Sequence, residues 1–345
     1  MKDLAGKRVF VGLSGGVDSA VSAALLLERG ADVTGVFIKG WYPPGMPCTW
    51  SEDRRDAMRA AAHLGIPFHT LDSAKEYKEG VIDYLLGEYA QGRTPNPDIM
   101  CNKEVKFGAF WKFAQEQGAD YLATGHYAQN KNGRIYRGVD AAKDQSYFLW
   151  AAGKEALIRT LFPLGELHKE ETRKLALKFG IPQATKKDSQ GVCFLGSISM
   201  EDFLRNELTV SPGKALSTDG QVLGTHEGSV LATLGERVSL LGSPPGPWYV
   251  LAKDMENNTL TVGHTPQVTR TESSITLTET HLLTTDALEG ELEAQYRYHG
   301  PRITGALSRD ATMFTPNIPV QEPVAPGQSL VLYKGGELLG GGIIQ

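Results

Sequence analysis

The strand-to-helix junction at residues 7–29 constrains this chain most. Lys7–Leu13 is a short apolar run of strand type. Ser14-Gly15-Gly16-Val17-Asp18-Ser19 follows it. Asp18–Arg29 then has helical periodicity, with Val21, Leu25 and Leu26 on one face. The alternation continues through strand-like Asp32–Lys39, helical Glu52–His63, strand-like Pro67–Leu71, helical Ala74–Gln91, helical Cys101–Gln117 and strand-like Asp120–Thr124. Strands alternating with helices form a parallel sheet covered on both faces. Residues 1 to about 125 are therefore expected to form a doubly wound α/β unit. Such sheets bind ligands at the carboxyl ends of their strands, where the six-residue loop falls. Two glycines let backbone N–H groups close on an anion, and the helix start adds positive potential. Ser14 and Ser19 add hydroxyl donors, and Asp18 is placed to hold a metal ion or cap the helix. Neither Gly-Lys-Ser/Thr nor Gly-x-Gly-x-x-Gly occurs at this turn, which excludes the Walker and dinucleotide readings.

Beyond this unit the texture changes. Tyr127–Asp140 reads as a hairpin around Asn132-Gly133. Lys154–Thr160, Lys169–Phe179 and Glu201–Glu207 read as helices. After Met200 come short alternating runs broken by Gly, Pro and Asn, among them Trp248–Lys253, Thr259–Val262, Glu291–Tyr298, Gln328–Tyr333 and Glu337–Ile344. They are expected to build a small barrel or sandwich. At about 100–200 residues per domain, 345 residues hold two or three domains.

The net charge of -5 argues against wholesale coating of nucleic acid. The distribution is uneven, however. Residues 101–187 carry 15 basic and 9 acidic side chains, and residues 198–345 carry 9 and 17. The middle is a basic segment suited to tracking phosphates. The first residues lack a signal- or transit-peptide pattern, and no apolar run approaches a membrane span, so a cytoplasmic protein without a membrane partner is expected.

Three cysteines are too few for a disulfide framework, and none are spaced as a zinc half-site. Cys48, in WYPPGMPCTW, reads as a bystander. Cys101 follows the stiff segment Pro95-Asn96-Pro97-Asp98 and is read near the start of a helix. With Lys103 and Lys106 nearby, that placement favours a thiolate. Asp98, three residues earlier, is a candidate proton acceptor or donor. Cys193 lies in the polar loop Lys186-Lys187-Asp188-Ser189-Gln190-Gly191-Val192-Cys193. Two separated cysteines beside an anion-binding loop suit sulfur transfer. One thiol carries a persulfide; the other attacks it and releases sulfide, or the persulfide itself attacks, and both routes leave a disulfide to be reduced.

SGGVDS resembles the loop of the ATP pyrophosphatases (PP-loop enzymes), which cleave ATP between the α and β phosphates and leave AMP on a substrate oxygen. The strings GLSGGVDSAV, GRTPNPDIMCNKEVKFGAF, ADYLATGHYA, RGVDAAKDQSYFLW and KKDSQGVCFLG, together with the C-terminal APGQSLVLYKGGELLGGGII, extend the likeness over nearly the whole chain. In that order they resemble the bacterial tRNA-specific 2-thiouridylases. The resemblance implies an adenine nucleotide alpha hydrolase-like N-terminal domain (1–199), a small central domain (200–265) and a C-terminal β-barrel (266–345). It implies ATP-dependent, Mg²⁺-assisted adenylation of the 2-oxygen of the wobble uridine (position 34) and sulfur transfer from a cysteine persulfide.

The same resemblance carries residue roles. Gly12, Leu13, Ser14, Gly15, Gly16, Val17, Asp18 and Ser19 match the ATP loop, with Ile38 and Gly125 lining the nucleotide; Asp18 is a candidate ligand of the Mg²⁺ that ATP brings. Cys193 matches the persulfide carrier and Cys101 the nucleophile, which form a transient disulfide. Asn96, Pro97 and Asp98 match the target-base segment. Lys143, Asp144 and Gln145 match a tRNA-contacting stretch, as do Arg297 and Tyr298. Implied partners are tRNA, a persulfide donor (a relay protein or a cysteine desulfurase) and a disulfide reductant. The chain departs from the family at Leu234-Gly235-Glu236-Arg237-Val238-Ser239, where a Gly-Gln-Arg-Lys-Gly-like segment is usual, and at His299-Gly300 after Arg297-Tyr298. Two other readings compete with sulfur transfer: an amide-forming adenylating ligase, which needs no cysteine pair, and a nucleotide-regulated RNA-binding module, which releases no pyrophosphate.

Overall fold

The structure is a computed structural model that describes residues 4–43, 50–188, 198–266, 273–284, 288–320 and 322–345. Two compact units divide the chain. The first comprises residues 1–81, 97–198 and 335–338, and the second 82–96, 199–334 and 339–345.

The first unit follows the alternation of its sequence. Its leading elements are β1 (Arg8–Gly12), α1 (Val17–Glu28), β2 (Asp32–Lys39), α2 (Trp50–Leu64) and β3 (Phe68–Asp72). A helical stretch follows as α3 (Ala74–Tyr77), a π-helical segment (Lys78–Ile82) and α4 (Asp83–Ala90), the last in the second unit. Next come α5 (Pro97–Met100), a second π-helical segment (Cys101–Ala109) and α6 (Phe110–Glu116), which run on as one helix. The unit continues with β4 (Tyr121–Ala123), β5 (Ala128–Lys131), β6 (Arg134–Arg137), α7 (Lys154–Ile158), β7 (Thr160–Leu161) and α8 (Lys169–Lys178).

Five strands make a parallel sheet in the order β3-β2-β1-β4-β7. Val9, Phe10 and Val11 are all buried, so both faces of β1 are covered, as a parallel sheet requires. Each such side chain stabilises the fold by about 1.5–3 kcal/mol. Val9, Val11, Leu13, Leu26 and Phe37 pack one core; Val17, Val21, Tyr127, Leu164 and Ile181 pack another. The hairpin at Asn132-Gly133 forms as read, with both residues at positive φ (57° and 88°) and β5 paired to β6.

Three expectations need correction. The α/β unit does not stop near Gly125, because β7 adds a fifth parallel strand. The helix expected over 154–160 ends at Ile158, and Thr160 enters that strand. Cys101 is also not at a helix start: α5 precedes it, so it is the fifth residue of its helix.

The second unit holds α9 (Met200–Glu207), β8 (Gly213–Leu216), β9 (Val222–His226), β10 (Arg237–Val238), β11 (Trp248–Asp254) and β12 (Thr259–Gly263). These strands form a sheet in the order β10-β11-β12-β8-β9, packed around Ala215, Trp248, Val250, Leu260 and Val262. Then come β13 (Ile275–Leu282), β14 (Leu292–Gln295), β15 (Arg302–Leu307), β16 (Met313–Pro316), β17 (Ser329–Lys334) and β18 (Glu337–Ile344). They run β13-β16-β15-β14-β17-β18, and pairing of β13 with β18 closes a six-stranded antiparallel barrel. Closure pairs the first and last of these six strands with each other.

Candidate functional site

β1 lies between β2 and β4, so the sheet winds outward in both directions from it. The loops after β1 and β4 open at that switch point, where doubly wound sheets bind ligands. The loop after β1 is anchored by buried Leu13, whose N–H donates to Val36 O at 2.8 Å. Ser14 N–H donates to Ser19 Oγ (3.2 Å), and the two hydroxyl oxygens stand 3.3 Å apart. Ser19 Oγ donates to Gly16 O (3.2 Å), and Gly16 N–H to Ser14 Oγ (3.3 Å).

Two glycines are obligatory here. Gly15 has φ +78°, and a Cβ on it would stand 2.3 Å from the Asp53 carbonyl oxygen. A Cβ on Gly125 would stand 2.9 Å from Ser19 N, so the loop after β4 meets the first turn of α1 backbone to backbone. Gly12 pairs with Val36, and half-buried Ile38 lies two residues further along β2. Gly12–Ser19, Ile38 and Gly125 therefore lie at one carboxyl edge of the sheet.

Charged groups from distant positions converge beside the loop. Lys169 Nζ donates to both Asp18 oxygens (2.7 and 2.8 Å), and the Tyr127 hydroxyl donates to Asp18 Oδ1 (3.2 Å). Lys169 also lies 2.9 Å from Asp188, which accepts from Lys143 (3.0 Å) and from Arg173 as well. Burial opposes the Asp188 charge. The hydrogen bonds and charges of Lys169 and Lys143 outweigh it and hold the carboxyl at about 2. Lys186 Nζ reaches Asp56 (2.9 Å), Asp53 (3.0 Å) and Gly15 O (3.3 Å), tying the loop to α2. Burial and then the Asp18 charge push the Tyr127 phenol above its ordinary range, so it stays a donor. Lys169, Arg173 and Tyr127 were not singled out from sequence. The available signal was the basic pair Lys169/Arg173, spaced i,i+4 on one helix face.

Asp98 and Cys101 are three apart on one helix and so share a face. Burial raises the Asp98 carboxyl, opposed by Lys106. Cys101 is 4% exposed and opens the π-helical segment, an irregularity common at functional sites. Its neighbour Asn102 donates through Nδ2 to Phe148 O at 3.0 Å. His126 is buried against Phe107 and Phe162, 2.8 Å from Thr124 Oγ1, and burial followed by the Lys106 charge keeps it neutral. Cys193 and Cys48 lie outside the described residues, so the Cys101–Cys193 pairing does as well.

In the stretch 143–145, Lys143 turns to Asp188. Asp144 is buried and accepts from Gly138 N (2.8 Å) and from Ser146 N and Oγ (3.1 Å each). Gln145 Oε1 accepts from Tyr127 N at 3.1 Å. Asp144 and Gln145 thus hold the turn that presents Lys143. In the second unit, Arg297 is half exposed and pairs with Glu322 (2.6 Å), and the Tyr298 ring lies 4.0 Å from that of His299. The approach to Asn96 is tied down there: Thr94 N–H donates to Pro326 O (2.8 Å), and Gln328 Nε2 to Thr94 O (2.6 Å).

Three family descriptions match the chain: tRNA methyl transferase HUP domain over residues 7–197, tRNA methyl transferase PRC-barrel domain over 201–264, and aminomethyltransferase beta-barrel domain over 272–344. The tRNA-specific 2-thiouridylase MnmA of Enterococcus faecalis is 42% identical, covering 100% of this chain and 96% of its own length. That of Pseudomonas fluorescens is 44% identical, covering 98% and 95%. Among solved structures, NMN synthetase from Francisella tularensis aligns with a TM-score of 0.38 at 19% identity, covering 58% of this chain and 72% of its own. The U34-tRNA thiolase NcsA from Methanococcus maripaludis aligns with a TM-score of 0.38 at 17% identity, covering 59% and 64%.

Proposed function

The chain belongs to the family of the tRNA-specific 2-thiouridylases, which are tRNA sulfurtransferases, and we propose that it converts the wobble uridine of tRNA to 2-thiouridine by adenylation and persulfide transfer. The observation that carries this reading is the loop of residues 14–19 at the switch point, closed by two hydroxyls and met by Gly125. Backbone N–H groups there suit the phosphates of ATP. The uridine 2-oxygen attacks the α-phosphorus, pyrophosphate leaves, and carbon 2 then carries AMP as a good leaving group.

Sulfur arrives as a persulfide on Cys193, supplied by a relay protein or a cysteine desulfurase. Either its terminal sulfur attacks carbon 2 and expels AMP, after which the Cys101 thiolate attacks Cys193 Sγ, breaks the S–S bond and frees the 2-thiouridine, or Cys101 first attacks Cys193 Sγ and releases the sulfide that attacks carbon 2 and expels AMP. Both routes end in a Cys101–Cys193 disulfide, and a dithiol reductant restores the thiols. Asp98, with its raised carboxyl, takes and returns the thiol proton. Asn96, Pro97 and Asp98 face the target base, which is splayed out of the anticodon loop. Lys143, Arg297 and Tyr298 contact the tRNA, with Asp144 and Gln145 as supports. The parts are 1–199 for activation, 200–265 as the central domain and 266–345 as the barrel.

Among the described residues no three or more His, Cys, Asp or Glu gather as a metal site. A single carboxylate plus phosphate oxygens is a usual donor set for Mg²⁺, and Asp18 offers that carboxylate once Lys169 yields it. Asp18 would hold Mg²⁺ there, and the ion would supply neutralisation of phosphate charge.

The test is mass spectrometry of tRNA nucleosides after incubation with ATP and a persulfide donor, with AMP and pyrophosphate counted. One 2-thiouridine per AMP is expected, and none from the C101S or C193S variant. Full activity of C193S would sink the cysteine assignment. Turnover on another substrate by the double variant would favour the amide-forming ligase, and tRNA binding without pyrophosphate release the RNA-binding module.

A further inference from the structure

One turn of the second unit holds the chain that leads into Asn96. Ala325-Pro326-Gly327-Gln328 is a type II turn: Gln328 N–H donates to Ala325 O (3.2 Å), Pro326 takes the second position and Gly327 has φ +89°. The Pro326 carbonyl accepts from outside the turn, where Thr94 N–H donates to it (2.8 Å). Gly327 lets the two backbones meet, because a Cβ there would stand 2.8 Å from Thr94 N. Gln328 reaches over the same residue, its Nε2 donating to Thr94 O at 2.6 Å. Both polar backbone groups of Thr94 are thus taken by a single turn.

The turn is itself fixed. Gly327 N–H donates to Ile344 O and Ile344 N–H to Gln328 O, both at 2.8 Å. Upstream, Glu322 accepts from Arg297 (2.6 Å) and from the Tyr296 hydroxyl (3.2 Å). Arg93, before Thr94, is held by Glu88 (2.7 Å) and by Gln91 Oε1 (2.8 Å). The chain after Thr94 is stiff. Pro95 and Pro97 fix their own φ and bias Thr94 and Asn96 toward extended backbone. A direction set at Thr94 therefore carries through to residues 96–98.

We propose that Gln328 is a positioning residue for thiolation: with the Pro326 carbonyl, its amide sets the direction of the chain at Thr94, and so where Asn96, Pro97 and Asp98 meet the target uridine. This rests on reading residues 96–98 as the target-base segment. The uridine must present its 2-oxygen and then its carbon 2 within attack distance, and a misplacement of about 1 Å costs up to about 100-fold in rate. Gln328 spends its amide on Thr94, so it governs rate and not affinity.

The test is single-turnover thiolation at saturating tRNA and ATP. Affinity for tRNA, a melting curve and deuterium uptake by the 92–98 peptide are measured for each variant. Q328A leaves Thr94 O without its donor. It is expected to thiolate about tenfold or more slowly, with tRNA affinity within about twofold and faster uptake in that peptide. Q328E is near-isosteric. Ionised, its carboxylate faces Thr94 O as a second acceptor; protonated, it donates again. Its rate relative to the unaltered protein should lie below that of Q328A at about pH 8 and recover as pH falls toward about 5, which a packing role would not produce. G327A, strained at φ +89° and wedged against Thr94 N, should slow thiolation by a similar factor. Q328A with an undiminished rate, whether it melts lower or binds tRNA more weakly, overturns the proposal and leaves the thiolation reading standing. So does Q328E that regains nothing at low pH, and this variant decides the matter if Q328A does not fold. An unaltered protein that makes no 2-thiouridine overturns both.

Discussion

At the scale of single residues, Asp98 combines an energetic cost with the proton-carrying role proposed for it. Burial raises its carboxyl above the ordinary 3.8, so the folded chain holds this proton more tightly than the unfolded one. Stability therefore falls as pH rises from that ordinary value through the raised one. D98N is neutral at every pH and escapes it. Its melting temperature at pH 7 should equal or exceed that of the unaltered protein, with the gap closing toward pH 4. Its thiolation rate in single turnover should drop about 100-fold or more, the usual worth of a placed proton carrier. A D98N protein that melts lower at pH 7 would show that ionised Asp98 is favourable where it stands. Asp188 is the opposite case, a carboxyl held down at about 2 once burial is outweighed by its cations. Its contribution is present above the ordinary carboxylate range and is lost only as pH falls through about 2.

At the scale of elements, the site depends on how closely two backbones approach where the loop after β4 meets α1. G125A would place a methyl 2.9 Å from Ser19 N and 3.1 Å from the Asp18 carbonyl carbon, both backbone atoms that side-chain rotation cannot move. It should destabilise the protein by about 1–3 kcal/mol and weaken ATP binding about tenfold in calorimetric titration. G87A is the comparator: a helical glycine of α4 with nothing within 4 Å of the added carbon, expected to gain about 0.4–1 kcal/mol. Equal ATP affinity in G125A would remove the close approach from the nucleotide site.

Much of this level was legible beforehand, because the apolar period and the Gly, Asn and Pro punctuation are local signals. Asn132-Gly133 announced its hairpin, and SGGVDS its junction. Thr160-Leu161 did not announce a strand: two residues cannot display a period, and the preceding helical pattern absorbed them. The strand Ile275–Leu282 alternates threonines at 276, 278 and 280 with only two buried apolar residues, Ile275 and Leu277, too few to read. The π-helical segment from Cys101 has no sequence signature, since packing decides it. Gly80 shows that packing: a Cβ there would meet Glu104 Cγ at 2.7 Å. The cations on Asp188 stand 15 to 45 residues from it, a separation only the folded chain closes.

At the scale of the whole molecule, an overall charge of -5 coexists with a +6 segment over residues 101–187. A polyanion senses local potential within about a Debye length, roughly 8 Å at physiological salt, so the overall net charge alone does not decide whether it binds this segment. Much of the +6 is spent internally. Lys169 and Arg173 face Asp188, Arg137 lies 3.7 Å from Asp144, and Lys186 is taken up by Asp53 and Asp56. Lys143 is different, being the more exposed partner of Asp188 and presented by a turn that Asp144 and Gln145 brace. If it contacts a tRNA phosphate, K143A should weaken tRNA binding and reduce the slope of log affinity against log salt by about one. ATP affinity should stay within about twofold, since the loop of residues 14–19 is untouched. Fluorescence titration of tRNA at four salt concentrations measures the slope directly. An unchanged slope with weaker binding would assign Lys143 to holding Asp188 rather than to the tRNA backbone. A lost ATP affinity would assign it to the nucleotide loop instead.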